Sequence, residues 1–216
     1  VLTSRVSHFK RYPQAYNGIR IGGARMYKLK EEGIIAVVDM IEGFINFGAL
    51  SSPDIRAIVP PMQDFLKNTV ESKVFLVDSH NEEAIEFKDF PPHCIKGSGE
   101  DKVIEELEEF AEMKFMKNSF NAFHSEQFRS YIIRNMDKFR NYYIIGCCTD
   151  ICVLNLALTL KTFFNEHSFG NEVYVIRELV DTFNLPGHDR TTENNAALGI
   201  MKTNGIKIIS LEDLRA

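Results

Sequence analysis

Short apolar runs alternate along the chain with longer stretches in which apolar residues recur every three or four positions. Ile34-Ile-Ala-Val-Val-Asp39 is apolar until it ends on a carboxylate, and Lys73-Val-Phe-Leu-Val-Asp78 repeats the design. Tyr142-Tyr-Ile-Ile-Gly146, Glu172-Val-Tyr-Val-Ile176 and Lys207-Ile-Ile-Ser210 complete a set of five predicted buried strands. Between them, Ser52-Pro53-Asp54 opens a predicted helix with Ile55, Ile58, Val59, Met62 and Leu66 on its apolar side. A second begins around Glu100, with Val103, Ile104, Leu107, Phe110 and Ala111 as its stripe and Asp101, Glu105, Glu108, Glu109 and Glu112 as a solvated face. Cys152 to Phe164 and Thr191 to Thr203 supply two more. Strands alternating with helices imply right-handed crossovers and a mostly parallel central sheet with helices on both faces, an α/β three-layer sandwich. In such sheets ligands bind beyond the carboxyl ends of the strands.

Composition narrows the class. The chain has 216 residues, 44% hydrophobic and 25% charged, with a net charge of −5, which excludes disordered and collagen-like classes. Its apolar runs are too short to cross a bilayer, and its mild acidity argues against a nucleic-acid partner. The first thirty residues hold Arg5, Lys10, Arg11, Arg20, Arg25, Lys28 and Lys30 and no acid. Pro13, Asn17-Gly18 and Gly22-Gly23 interrupt any long amphipathic helix there. Residues 1–32 therefore read as an extended basic arm that packs on the domain formed by 33–216 or on a neighbouring subunit, in preference to a targeting segment. Cys147, Cys148 and Cys152 crowd together while Cys94 stands apart, which is not the spacing of a disulfide framework. A reduced, cytoplasmic protein fits better.

Ionisable residues collect after the predicted strands. Cys152 lies where the third strand passes into a helix, a place where free N–H groups favour a thiolate and can hold an oxyanion. It can equally be a small buried hydrophobe. Asp39, at the end of the first strand, is a candidate base for that thiol or else a turn residue. Lys117, among apolar neighbours, could steady the charge of both. Asp78 and His80, two apart, can aim oxygen and nitrogen ligands at one metal, with Glu86 and His93 on a loop stiffened by Pro91-Pro92. Cys94 is a weaker fifth candidate. The alternative reading is that the two histidines serve only as hydrogen-bonding groups.

Four segments in order, over roughly residues 33 to 210, resemble the nicotinamidase and isochorismatase-like cysteine hydrolases. They are Val37-Val38-Asp39-Met40 with Phe44; Asp78-x-His80 with Phe-Pro-Pro-His93-Cys94; Lys117 with Phe120 and Phe123; and Gly-Cys-Cys-Thr-Asp-Ile-Cys152-Val. The resemblance implies an isochorismatase-like, Rossmann-like fold and an Asp39–Lys117–Cys152 triad. It also implies an oxyanion hole from the N–H groups of Cys148 and Cys152, and a cis peptide at Cys147–Cys148. Phe44, Phe120, Phe123 and Cys147 would surround a small amide substrate. Asp78, His80, Glu86 and His93 would hold one divalent metal ion, zinc first, with iron or manganese as alternatives. Nicotinamide hydrolysis through a cysteine thioester, in NAD salvage, is the implied activity, and a homo-oligomer the implied assembly.

Two departures from the family pattern stand out. Glu86 occupies the role often filled by a third histidine, and Ile41-Glu42 replaces a polar pair before Phe44. The rival readings are a related hydrolase acting on another small amide or carbamoyl compound, a redox sensor built on Cys147, Cys148 and Cys152, and a structural zinc site of His80, His93 and Cys94.

Overall fold

Gly33–Val38 (β1) is buried at every position, as an apolar run must be when helices cover both sides of it. The computed structural model describes residues 26–215. After β1 come a single helical turn α1 (Glu42–Ile45), α2 (Val59–Lys67), β2 (Ser72–Asp78), a second single turn α3 (Glu105–Glu108), β3 (Lys114–Lys117) and α4 (Glu126–Asn135). Then follow β4 (Asn141–Cys147), α5 (Leu154–Glu166), β5 (Glu172–Asp181), α6 (Arg190–Thr203) and β6 (Lys207–Ile209). The six strands form one parallel sheet in the order β3-β2-β1-β4-β5-β6. Alternate residues of each strand serve opposite layers. Ile35, Val37, Phe75 and Tyr143 pack with Met62, Phe65 and Leu66 of α2. Ile34, Ala36, Val38 and Tyr142 pack with Phe128 of α4, Leu160 and Phe164 of α5, and Met201 of α6. The predicted three-layer α/β sandwich is the observed architecture.

Several local readings change. The helix expected around Glu100 shrinks to α3, because residues 100–102 form a turn and bend and Val103 makes an isolated antiparallel bridge with Ile41. There Glu42 N–H donates to Lys102 O, Gly43 N–H to Glu100 O, and Ile104 N–H to Met40 O. Val103 and Ile104 are thus buried by pairing, not by a helical stripe. Of the acids read as a solvated face, Glu105, Glu108, Glu109 and Glu112 are exposed, while Asp101 is half-buried and accepts from Ser79 Oγ at 3.0 Å. The helix expected to open at Ser52 begins as a 3-10 turn, Ile55–Ile58, and becomes α2 at Val59, whose first turn carries Pro60 and Pro61. β5 resumes beyond Ile176 after a bulge at Arg177 and Glu178 and reaches Asp181. Neither β3 as a strand nor α4 was anticipated.

The predicted arm lies largely outside the described residues. Its final residues lie on the domain itself: Tyr27 donates to Asp64 Oδ2 at 2.9 Å, and Lys30 N–H to the Tyr143 hydroxyl at 2.9 Å. Among the described residues no helix is long and apolar enough to cross a membrane.

The seam between β1 and β4 admits no side chain at Gly146. This residue has φ +118°, and a Cβ there would lie 2.0 Å from Val38 O. Backbone on both sides leaves nothing to move aside. Gly146→Ala is expected to destabilise the protein by more than about 4 kcal/mol, read by urea unfolding. An unchanged midpoint would show that this seam can part.

Candidate active site

The crossovers from β1 run toward β3 and those from β4 toward β6, so the carboxyl ends of β1 and β4 flank the switch point where such sheets leave a crevice. Asp39 follows β1 in the left-handed conformation, φ +51°, with its N–H on Leu76 O at 2.9 Å. That turn drops the carboxylate against β2, where Oδ1 accepts the N–H of Asp78 at 2.9 Å. Lys117, the last residue of β3, reaches the same point fully buried. Its Nζ lies 2.9 Å from Asp39 Oδ2, 2.8 Å from Asp78 Oδ1 and 3.9 Å from Cys152 Sγ. Asp39, Lys117 and Cys152, far apart in sequence, therefore meet.

One ammonium between two buried carboxylates sets the electrostatics. Burial raises the Asp39 carboxyl to about 6; Lys117 opposes the rise and the Asp78 charge adds to it. Asp78 moves the other way: burial would raise it, but the Lys117 charge and the adjoining His80 and His93 imidazoles hold it well below the carboxylate range. Lys117 stays protonated despite its burial, because both carboxylates face it. Burial pushes the Cys152 thiol up, against the pull of Lys117. The resting arrangement is thus a thiol beside an ionised Asp39, whose buried Oδ2 has no directed hydrogen bond and can take a proton.

Cys152 itself sits in a single π turn, Thr149–Val153, ahead of α5, not at the first turn of an α-helix. Cys148 precedes that turn, joined to Cys147 by a cis peptide.

Asp78 also closes a second group. Its Oδ2 is 3.1 Å from His80 Nε2 and 3.6 Å from His93 Nε2; Glu86 Oε1 is 3.8 Å from the first and 4.0 Å from the second. Both ring nitrogens of His80 are buried without a hydrogen-bond partner. His93 Nδ1 lies 2.8 Å from Pro91 O, which takes its proton and leaves the Nε2 lone pair facing the carboxylates. Orphaned imidazole nitrogens beside converging carboxylates fit a divalent metal ion. Cys94 is not among these ligand atoms; its carbonyl accepts the His80 N–H at 2.9 Å and so holds that histidine's backbone.

Phe44 lies with its ring 5.8 Å from that of His93. Phe120 is half-buried, and its N–H donates to Glu86 Oε2 at 3.2 Å. Two other expected substrate contacts are committed elsewhere. Cys147 is fully buried with its thiol on Asp39 O at 3.2 Å, and Phe123 packs its ring at a tilt of 51° against that of Phe163, centroids 5.0 Å apart. Sequence reasoning missed Phe87 and Phe90, whose rings lie 5.6 Å and 6.3 Å from His93. Their Phe-x-x-Phe spacing next to Glu86 was the available signal. Ile41 is buried on Val103, and Glu42 accepts from Asn46 Nδ2 at 2.7 Å.

A family model described as Isochorismatase domain matches residues 34–213. Nicotinamidase 1 of Arabidopsis thaliana is 25% identical over 177 residues, 71% of this chain and 71% of its own length. Among solved structures, the pyrazinamidase of Pyrococcus horikoshii in complex with zinc is 27% identical with a TM-score of 0.66, covering 83% of this chain and 99% of that one. The nicotinamidase/pyrazinamidase of Acinetobacter baumanii superposes with a TM-score of 0.72 at 22% identity, over 87% of this chain and 100% of its own.

Proposed function

This chain belongs to the isochorismatase family of hydrolases, and from that premise we propose that it is a metal-dependent amidase converting nicotinamide to nicotinate and ammonia. The observation that carries the reading is the double engagement of Asp78: one oxygen on the Lys117 of the nucleophile cluster, the other in the two-histidine, two-carboxylate group. A substrate spanning both would present its amide to Cys152 and its ring nitrogen to the second group. The nicotinamidase relative and the zinc-bound pyrazinamidase support that assignment.

Asp39 Oδ2 takes the Cys152 proton while Lys117 holds the charge of both groups. The sulfur attacks the amide carbonyl carbon, and the N–H groups of Cys148 and Cys152 stabilise the oxyanion. Asp39 returns the proton to the leaving nitrogen, ammonia departs, and a thioester remains. Water gives a proton to Asp39 and attacks the thioester carbon, the C–S bond breaks, Asp39 passes that proton to the departing Cys152 sulfur, and the acid leaves as nicotinate after losing its own proton to solvent. Asp78, His80, Glu86 and His93 would hold a divalent ion, with zinc the leading choice and iron or manganese the alternatives, and it would supply a Lewis acid at the ring end of the substrate. Phe44 packs against the ring. The product serves NAD salvage in a reducing, cytoplasmic setting.

The test is ammonia release from nicotinamide by native, chelated and metal-resupplied protein. Release that disappears on chelation and returns with metal, while circular dichroism stays native, is the expected result. Unfolding on chelation would instead indicate a structural metal. Turnover of other small amides or carbamoyl compounds, but not of nicotinamide, would retain the hydrolase and discard the substrate.

A further inference from the structure

Asp150 stands two residues before Cys152 in the same π turn, and the catalytic reading gives it no task. The turn has little of its own to fix it. No side chain caps it, and the N–H groups of Ile151 and Val153 share one acceptor, Cys148 O, at 3.1 Å each. Turns of this kind are rare and concentrate at functional sites. Asp150 Oδ1 is buried and unpartnered, so the carboxylate is anchored through Oδ2, which lies 2.8 Å from His188 Nε2.

His188 is presented from a stiff corner between β5 and α6. Leu185 and His188 exchange backbone hydrogen bonds of 3.1 Å and 2.9 Å across Pro186-Gly187, with Gly187 at φ +86°. Proline followed by a positive-φ glycine is the signature of a type II turn. The imidazole stacks on Phe183, centroids 3.9 Å apart and 16° from parallel, and its Nδ1 lies 3.1 Å from Phe183 O. Both ring nitrogens thus face oxygen acceptors, which only a doubly protonated ring can satisfy. The Phe183 face suits that cation.

Asp150, His188 and Glu193 also offer ligand atoms close enough together to hold a metal ion, but the contact between Asp150 and His188 is a directed hydrogen bond. His188 Nε2 makes a directed bond to Asp150 Oδ2, whereas His80 Nε2, at 3.1 Å from Asp78 Oδ2, makes none.

We infer that His188, as an imidazolium, is a positioning residue for the nucleophile: through Asp150 it clamps the turn that carries Cys152 against the β5–α6 loop. The inference rests on Cys152 being the reactive thiol. The charged groups facing His188 are Asp150 on the π turn, Glu193 on α6 and its neighbour Asp189, all acidic. Burial works against the charged ring, but the bond to Asp150, that charge, Phe183 O and Glu193 together keep His188 protonated above the ordinary histidine range. Because the folded value is raised, the clamp is complete below the ordinary histidine value and is lost as pH rises through the folded value.

The test compares wild type with His188→Ala, His188→Gln and Asp150→Asn in two readouts across the histidine and thiol titration range. The first is the rate at which iodoacetamide alkylates Cys152, followed by peptide mass spectrometry. The second is kcat and KM for nicotinamide. In His188→Ala and Asp150→Asn, kcat and the alkylation rate are expected to fall about 10- to 100-fold with KM nearly unchanged, since small misplacements of reacting groups carry penalties of that size. His188→Gln keeps a donor near the Nε2 position without the charge; it should recover part of the rate and lose the alkaline decline of the wild type. Alkylation that is unchanged or faster in all three variants, with wild-type pH dependence, would overturn the inference even if their melting temperatures drop. Should His188→Ala fail to fold, His188→Gln decides. Should wild type not hydrolyse nicotinamide, only the substrate proposal falls, because the alkylation readout needs no substrate.

Discussion

Cys152→Ala is expected to lower amide hydrolysis by at least about 10⁴-fold, the scale seen when a covalent nucleophile is removed from an otherwise intact site. The fold should survive the change. Cys152 is buried, so truncating its side chain removes a small apolar volume, an effect of about 1 kcal/mol and a melting shift of a few degrees. The substitution also leaves Lys117 between Asp39 and Asp78, so the charge arrangement beneath the thiol is untouched. Activity and stability should therefore separate widely, and this separation discriminates among the readings of the cysteine cluster. A redox sensor built on Cys147, Cys148 and Cys152 requires no turnover at Cys152. If hydrolysis persisted within about tenfold of wild type in Cys152→Ala, the thioester route would be wrong and Asp39 would have to activate water directly.

How far the chain discloses this arrangement depends on whether a segment is shaped by its own sequence or by what it packs against. β1, β2 and β4 were legible because a strand buried on both faces must be apolar throughout, and each ends on a residue that changes character: Asp39, Asp78 or the Gly146-Cys147 step. β3 was not, since an edge strand exposes alternate residues and Lys114–Lys117 offers only Phe115 and Met116 as apolar signal. α4 carries Phe128, Tyr131 and Ile132 at helical spacing behind Ser125, a pattern short and interrupted by charge. The segment at 100–111 misled in the opposite direction. Its apolar residues recur at helical intervals, yet Val103 and Ile104 are held by a bridge and backbone hydrogen bonds to 40–43, information that resides in the partner segment.

The same distinction holds in the site. Spacing and residue type nominate Asp39, Asp78, His80 and Cys152 at strand ends, which converge in this fold, and Glu86 and His93 on the loop after β2, whereas Lys117 is nominated through the family resemblance. The bridging of Asp78 between two clusters was not legible, since it depends on β2 lying between β1 and β3. Nor was the commitment of Cys147 to Asp39 O, which follows from the close approach of β4 to β1 at Gly146. His188 lay in a loop with no strand-end logic, and only the fold brings it to Asp150.

Lys117→Met should be both inactive and markedly unstable, and the two losses have separable causes. Among the described residues the ammonium is the one cation within 3 Å of both Asp39 and Asp78. Its removal leaves two buried carboxylates facing an apolar side chain. Breaking a buried ion pair in this way typically destabilises by about 3–5 kcal/mol, because a charge is left without its partner. Lys117→Arg offers no simple rescue: a planar guanidinium in a fully buried cavity overpacks it, at about 1–3 kcal/mol. Charge balance can be restored in another way. In Lys117→Met with Asp39→Asn, a single carboxylate remains, and Asn tolerates the left-handed backbone at position 39 while its side-chain carbonyl can still accept the Asp78 N–H. That double variant should regain about half or more of the lost stability in urea unfolding, a large positive coupling for residues in direct contact. It should stay inactive, having neither the base nor the cation. Equal instability of the single and double variants would mean that Lys117 contributes volume and not charge, and the electrostatic account of Asp39 would fall with it.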